Sequence, residues 1–166
     1  MRMELPPDPL RLEVQVCFSL SAAARAMVSL YKPVLEPLGL THPQYLVMLG
    51  LWQDDRAGHQ TTVTGLAARL LLDAGTLSPL LKRLERQGLV ERRRASADGR
   101  VVELHLTDAG RGLRAEAEKV PAAVVEASGL TLAELDAARV ATDRVVAAAQ
   151  RAHRGGPVAA DEPAAR

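Results

Sequence analysis

The sequence has one cysteine, few aromatic residues, almost no net charge and no long apolar run. The lone cysteine excludes a disulfide framework within one chain. No apolar stretch approaches the roughly 20 residues that span a bilayer, and residues 1–9 lack the apolar core of a secretory signal. We therefore expect a cytoplasmic protein with no membrane partner. Because only 2% of the residues are aromatic, alanine and leucine must fill the core, which favours helices.

Motifs of enzymes are also missing. The sequence has no glycine-rich phosphate loop and no strand-rich thioredoxin pattern. The histidines do not have the spacing of metal ligands; they are His42, His59, His105 and His153. We expect no metal, no cofactor and no enzymatic activity. A thiol peroxidase with the lone cysteine as its nucleophile is the enzymatic alternative.

The most informative stretch runs from Leu66 to Thr107. It predicts a short helix, a tight turn, a second and basic helix, and an arginine-rich hairpin. This order is typical of a winged helix-turn-helix, which reads DNA with a helix and grips its backbone with a β-loop. We expect a mainly α fold with a small β-hairpin wing.

Periodicity in the basic helix separates a packing face from an exposed face. The packing face carries Leu77, Leu80, Leu81, Leu84 and, at the C-terminal cap, Gly88. The opposite face carries Gly75, Pro79, Lys82 and Arg86, flanked by Thr76, Ser78 and Arg83. We take Thr76, Ser78, Lys82, Arg83 and Arg86 as candidate DNA contacts.

Charge supports this interpretation. Between Lys82 and Arg100 there are seven basic residues and three acidic ones, in a chain whose net charge is +1. The positive charge is thus concentrated, as phosphate neutralisation requires. A solvated helix and an ordinary charged hairpin are the alternative. Alternate strand positions point to opposite faces, so the run Arg92–Arg94 should include a structural residue.

The start of the basic helix has two interpretations. If Asp73 caps it, Pro79 lies inside the helix and removes the hydrogen bond to the Gly75 carbonyl. If Ser78 is the cap, Pro79 takes the first helical position, where proline is favoured. The sequence leaves both open.

The first half of the chain contains two further helices before the short one. A long first helix is predicted from about Leu12 to Leu38, and a capping box at Thr41–Gln44 starts the second. A loop from Asp54 to Thr62, with a possible strand, follows. Thr64 is predicted to cap the short helix that precedes the basic one.

After the wing, a helix is predicted from Thr107 towards Ser128, interrupted near Pro121. A second capping box, Thr131–Glu134, starts a final helix that ends near His153. The apolar residues of these helices exceed what one small winged helix can bury. This favours a homodimer built from terminal helices, with packing inside one chain as the alternative.

We therefore expect a flexible N-terminus at 1–10, one domain at 11–153 and a flexible tail at 154–166. Within the domain, residues 61–107 would form the DNA-binding lobe. The dimerisation helices would come from residues 11–40 and 108–153.

Six segments resemble the MarR family of bacterial repressors, over nearly the whole chain. LTDAG at 106–110 and the wing tip DGR at 98–100 match the family in general. The other four segments resemble the organic-hydroperoxide-sensing branch of the family: LEVQVCF at 12–18, YKP at 31–33, PQYLVML at 43–49 and DAGTLSPLLKRLE at 73–85.

The resemblance implies a homodimeric repressor whose recognition helices enter successive major grooves of double-stranded operator DNA. Each wing would place Arg100 in the flanking minor groove, with Asp98 orienting the tip. It also implies regulation through Cys17: an organic hydroperoxide oxidises this residue, a small thiol caps it, and the repressor releases its operator.

In the family, two tyrosine hydroxyls bind the reduced sulfur across the dimer. Tyr31 matches one of them, and His42 occupies the other position. An imidazole can still donate a hydrogen bond, and a protonated one would stabilise a thiolate. Without the resemblance, Cys17 would be a buried small hydrophobe and His42 an ordinary first-turn residue.

A peroxide pocket is expected near Phe18, with Met48 and Trp52 as candidates for its lining. Release by a non-covalently bound phenolic or aromatic ligand, as in other MarR-like proteins, is the alternative to oxidation.

We expect Arg100→Ala to weaken operator binding and to lower its salt dependence by about one unit of slope, because a charge near the phosphates is lost. Operator titrations over a range of salt concentrations measure this. An unchanged slope would mean that the wing stays in solvent.

Overall fold

A computed structural model describes residues 8–95 and 101–154. Within these residues, seven α-helices and three strands occur in the order α1 Val16–Leu35, α2 His42–Ala57, β1 Thr61–Thr62, α3 Val63–Leu70, α4 Ala74–Arg86, β2 Val90–Arg94, β3 Val102–Leu106, α5 Asp108–Ala117, α6 Val120–Ser128 and α7 Leu132–Arg154. The fold is mainly helical with a small antiparallel sheet, which confirms the predicted fold class. No described helix is long and apolar enough to cross a bilayer.

The first helix is shorter than predicted. Two 3-10 turns, Leu12–Val14 and Glu36–Leu38, flank α1 and account for the rest of the predicted span. The second turn contains a proline and ends at Gly39, whose φ of +66° closes the segment in the left-handed region. These turns set the direction in which the chain enters α2.

Capping residues explain where α2 begins and ends. The backbone N–H and the hydroxyl of Thr41 both donate to Gln44 Oε1, at 2.9 and 2.8 Å, which confirms the predicted pairing. The predicted loop from Asp54 is wrong over its first four residues, because α2 continues to Ala57. Gly58, with φ +66°, supplies the left-handed cap that ends the helix there.

The cap of α3 also differs from the prediction. Thr62, not Thr64, is the N-cap, and its hydroxyl accepts from the Gly65 N–H at 3.1 Å. Thr62 also pairs with Glu103 as part of β1. An N-cap has extended backbone angles, so the last strand residue serves directly as the cap.

The structure decides between the two possible starts of α4. Asp73 is the N-cap: its Oδ1 accepts from the Thr76 N–H at 2.8 Å, and its Oδ2 from the Thr76 hydroxyl at 2.9 Å. Pro79 therefore lies inside the helix. Gly75 and Pro79 are both exposed, so water can reach the carbonyl that lacks its helical partner. Because of this access to water, Pro79 destabilises the helix less than it would at a buried position.

The sheet has the strand order β1-β3-β2, and both pairings are antiparallel. Val90 pairs with Leu106 and Arg94 with Val102, which confirms the predicted hairpin. Its apolar residues face the helices: Val90, Leu104 and Leu106 are buried.

The core lies between α4, α2 and this sheet. Three leucines of α4 are fully buried: Leu77, Leu81 and Leu84. They share one cluster with the inward residues of α1 and α2, among them Leu35, Val47, Met48 and Leu51. The leucine packing face predicted for the basic helix is thus confirmed, with Leu80 partly buried, whereas Gly88 is exposed.

The predicted break near Pro121 is confirmed, because α5 ends at Ala117 and α6 begins at Val120. Proline in the first turn of a helix loses no backbone hydrogen bond. The capping box before α7 is also confirmed: the Thr131 N–H donates to Glu134 Oε2 at 2.8 Å, and the Glu134 N–H returns a bond to the hydroxyl at 3.2 Å.

The chain divides into two compact units, Met1–Val124 and Val125–Arg166. The first contains α1 to α5 and the sheet. The second contains α7, on which apolar side chains stay exposed, including Val145 and Val146.

Gly110 is the point of closest backbone approach. A Cβ atom there would lie 2.1 Å from the Leu89 carbonyl oxygen. The carbonyl of Gly110 accepts from Trp52 Nε1 at 2.8 Å, and its N–H donates to Thr107 Oγ1 at 3.0 Å. These contacts join the start of α5 to α2 and to the entry of β2.

We expect Gly110→Ala to lower the free energy of unfolding by about 1–3 kcal/mol, because the added methyl must displace backbone. Gly112→Ala is the matched control, since nothing lies within 4 Å of its Cβ position; it should be neutral or stabilise by up to about 1 kcal/mol. Urea unfolding at equal protein concentration measures both. Equal effects of the two changes would contradict the close approach.

Candidate DNA-reading surface and redox site

The outer face of α4 is a candidate DNA-reading surface. Gly75, Pro79, Lys82 and Arg86 are exposed, on the side opposite the buried leucines. Arg83 beside them is also exposed. A helix with one apolar seam and one basic outer face can enter a major groove while its seam stays packed.

The other predicted contacts have mixed surroundings. The Thr76 hydroxyl is engaged with the capping Asp73, and Ser78 is half-buried. Asp98 and Arg100 lie outside the described residues. The exposed cations of α4 are therefore the clearest candidates for contact with DNA.

The arginine run of β2 is partly structural, as predicted. Arg92 forms a two-pronged ion pair with Glu85 of α4: Nε lies 2.9 Å from Oε1, and Nη2 contacts Oε2. Arg92 holds the pKa of Glu85 below its usual range, and the carboxylate raises the pKa of the guanidinium. Arg93 pairs with Glu91 at 2.8 Å. Because Arg93 and Glu91 both lie in β2, it is the pair of Arg92 with Glu85 that fastens β2 to α4.

A second polar cluster, which the sequence did not reveal, holds α3 and β1 on α2. Arg69 Nη1 lies 2.7 Å from Asp54 Oδ1, and its Nη2 donates to the Gly50 carbonyl at 2.7 Å. The Thr61 hydroxyl donates to Asp54 Oδ2 at 2.6 Å. The bond from Arg69 lowers the pKa of Asp54. The sequence carried no signal for this cluster because its members are 7 to 19 residues apart.

The candidate redox residues lie at two ends of one helix. Cys17 is exposed in the first turn of α1, and Tyr31 is half-buried near its end. Fourteen residues at about 1.5 Å each separate them by about 21 Å. They share nearly one face, because fourteen residues make almost four turns. Direct contact between them within one chain is thus impossible.

Tyr31 and His42 do meet. Their rings lie edge to face with centroids 5.0 Å apart. Burial lowers the pKa of His42, which favours the neutral imidazole, and a neutral imidazole can still donate a hydrogen bond through one nitrogen. The ring of Tyr45 follows at 5.9 Å from Tyr31, and burial raises its pKa. Tyr45 is 3% exposed, so it belongs to the core.

Comparison with known proteins identifies the family. The family model described as transcriptional regulator SarA/Rot matches residues 29–116. The organic hydroperoxide resistance transcriptional regulator of Bacillus subtilis is 42% identical over 140 residues, which cover 82% of this chain and 92% of that protein.

The chain belongs to the MarR-like family of winged-helix transcriptional regulators. The HTH-type transcriptional regulator TtmR of Methylorubrum extorquens is 45% identical over 76% of this chain and 63% of its own length. The structure of reduced AbfR bound to DNA has a TM-score of 0.70 and 32% identity, and covers 86% of this chain and 94% of that one. AbfR, from Staphylococcus epidermidis, is also known in overoxidised and disulfide forms.

One residue expected to line the peroxide pocket is wrong, because Met48 is fully buried in the core. Trp52 is 4% exposed, its indole N–H donates to the Gly110 carbonyl, and its ring borders a surface cavity beside Tyr45. Phe18 remains 37% exposed on α1. A cavity of about 580 Å³ adjoins His42 and is lined by Val28, Lys32 and Leu40 among others.

The lowered pKa of His42 should make stability depend on pH. The unfolded chain, with a histidine pKa of 6.5, binds more protons than the folded one below that pH. The contribution of His42 to the free energy of unfolding is therefore fully present above pH 6.5 and is lost as the pH falls below that value. We expect His42→Asn to flatten this slope in unfolding measurements between pH 5 and 8. His59→Asn, at an exposed position, should keep the wild-type slope; equal slopes for all three proteins would contradict the assignment.

Proposed function

We propose that this protein is a cytoplasmic homodimeric repressor that reads operator DNA with α4 and releases it when an organic hydroperoxide oxidises Cys17. The observation that carries the proposal is the arrangement on α1. A cysteine and a tyrosine share one helix face, about 21 Å apart, and the histidine that meets the tyrosine completes the set.

Two copies of α1 running in opposite directions would bring these groups together. Cys17, Ala24 and Tyr31 follow one another at seven-residue spacing, so they form one stripe along the helix. A two-fold axis near Ala24 would place Cys17 opposite Tyr31 of the partner subunit. Ala24 and its neighbour Ala23 are small and exposed, which permits close approach of two helices. The exposed apolar side chain of Val28 would be covered in such a dimer.

The DNA side of the proposal uses the basic face of α4. In a two-fold dimer the two α4 helices read half-sites about one helical turn of DNA apart. Lys82, Arg83 and Arg86 of each copy neutralise phosphates or contact base edges. Arg100 of the wing reaches the minor groove, and Asp98 orients the wing tip.

The redox step balances without a second cysteine. The Cys17 thiolate attacks the terminal, hydroxyl oxygen of the peroxide, the O–O bond breaks, and the alkoxide leaves as the alcohol by taking from water the proton that the thiol gave up on ionising. Sulfur is oxidised to sulfenic acid as the peroxide is reduced. A small thiol then displaces water and forms a mixed disulfide. The added bulk disturbs the hydrogen bonds from Tyr31 and His42 of the partner subunit. The distance between the two reading heads then no longer matches the half-sites.

A second candidate is release by a non-covalently bound aromatic ligand. A cavity of about 740 Å³ is bordered by Tyr45, Leu49, Trp52 and Arg56. Aromatic walls with a guanidinium at the rim suit an aromatic acid. Such release would be reversible and independent of Cys17.

The test is operator binding of the reduced and oxidised protein. Cumene hydroperoxide with a small thiol should weaken binding by the wild type more than a hundredfold, about 3 kcal/mol, and a dithiol reductant should restore it. Cys17→Ser should bind DNA as the reduced wild type does and stay bound after treatment. Mass spectrometry should find one thiol adduct per chain.

Release of Cys17→Ser by the same treatment would overturn the sensing role. Steady consumption of peroxide beyond one equivalent per chain would favour the thiol peroxidase. Loss of binding with a phenolic acid alone would favour the non-covalent ligand.

A further inference from the structure

Side-chain amides connect the segment between α1 and α2 to the C-terminal end of α4. Gln87 Nε2 donates to the Gly39 carbonyl at 2.8 Å, and Gln44 Nε2 donates to Gln87 Oε1 at 3.0 Å. Gln44 Oε1 in turn accepts from the backbone and the hydroxyl of Thr41. We call Gly39, Thr41, Gln44 and Gln87 the glutamine relay.

One end of the relay adjoins the redox residues. Thr41 is the N-cap of α2, and His42 is the first residue of that helix. The His42 ring touches Tyr31 near the end of α1, while Gly39 closes the turn that follows α1. Any displacement of the Tyr31 and His42 rings therefore acts on the segment that carries two members of the relay, the Gly39 carbonyl and the donors of Thr41.

The other end adjoins the DNA-reading surface. Gln87 is the C-cap residue of α4, and its N–H donates to the Arg83 carbonyl at 3.0 Å. Arg83 and Arg86 line the same surface cavity, of about 360 Å³, as the relay. Through this backbone hydrogen bond, Gln87 is thus joined to the turn of α4 that carries both arginines.

The relay is more than the cap of α2. Capping needs only Gln44 Oε1, yet the amide nitrogen of Gln44 makes the additional bond to Gln87. Gln44 is 3% exposed, so the direction of its amide is fixed by these partners. The leucine packing between α2 and α4 is non-directional, whereas hydrogen bonds specify both distance and angle. The relay can therefore transmit a small movement that apolar packing would absorb.

We propose that Gln87 is a positioning residue that couples the redox state of Cys17 to the orientation of α4. The proposal rests on the proposed function, since it specifies how oxidation reaches the reading helix. In the reduced protein the relay holds α4 in the orientation that fits the groove. After oxidation the segment between α1 and α2 shifts. The two hydrogen bonds of Gln87 then either pull α4 along with that segment or break.

Gln87→Met tests the coupling. Methionine keeps the length of the side chain and removes both hydrogen bonds. Because position 87 is exposed, we expect the variant to fold. The quantity measured is the ratio of operator dissociation constants of the oxidised and reduced protein. We expect this ratio to fall about tenfold in the variant, with oxidation of Cys17 by cumene hydroperoxide and thiol still complete by mass spectrometry.

Gln60→Met is the matched control. Gln60 is also exposed, and its amide bonds the carbonyl of the adjacent Thr61. This variant should keep the wild-type ratio. Hydrogen exchange supplies a second readout, because coupling is reciprocal: operator DNA should protect the backbone amides of Thr41, His42 and Gln44 in the wild type and less so in Gln87→Met.

The outcomes separate the two proposals. A wild-type ratio in Gln87→Met, with unchanged protection, overturns the relay and leaves oxidative release intact. If oxidation leaves the operator dissociation constant of the wild-type protein unchanged, the proposed function and the redox role of the relay are both overturned. An equal fall of the ratio in Gln60→Met would mean that removing any exposed amide has this effect, and it would also overturn the relay.

Discussion

The burial of three leucines on one side of α4 is the constraint on which the candidate DNA-reading surface depends. Leu77, Leu81 and Leu84 have no solvent exposure, so the rotation of this helix about its axis is fixed by the core. That rotation alone turns Lys82 and Arg86 outward. It also places Pro79 and the Gly75 carbonyl, which cannot accept from a proline nitrogen, on the solvent side, where water can reach that carbonyl.

Polar contacts then fix the neighbours of α4 in the positions that a winged helix requires. The ion pair of Arg92 with Glu85 holds the hairpin against the reading helix. Asp54 and Arg69 hold α3 on α2. Buried or half-buried charges of this kind are costly when left single and specific when paired, so they set geometry more than they add stability. The exposed cations of α4 form the proposed reading surface.

The proposed sensor depends on a second copy of the chain, for a geometric reason. A helix residue cannot contact another residue four turns away on the same straight helix, but a two-fold axis midway between them brings the two into contact. Cys17 and Tyr31 satisfy that geometry. A change at the sulfur would then act on the dimer interface first and on α4 second, through the segment that begins at His42. In the proposed function, α1 and α2 support both the sensor and the reading helix.

The sequence by itself determined the features that depend on short spacing. Leucine periodicity identified the packing face of α4, and the capping boxes at Thr41 and Thr131 marked two helix starts. Tertiary structure decided the rest. It chose Asp73 over Ser78 as the cap of α4, assigned the cap of α3 to Thr62 through its strand pairing, placed Met48 in the core, and joined side chains far apart in the chain. Periodicity and capping act within one or two turns, so two local caps for α4 were equally open. The side-chain contacts join residues 7 to 58 apart and exist only after the helices have packed.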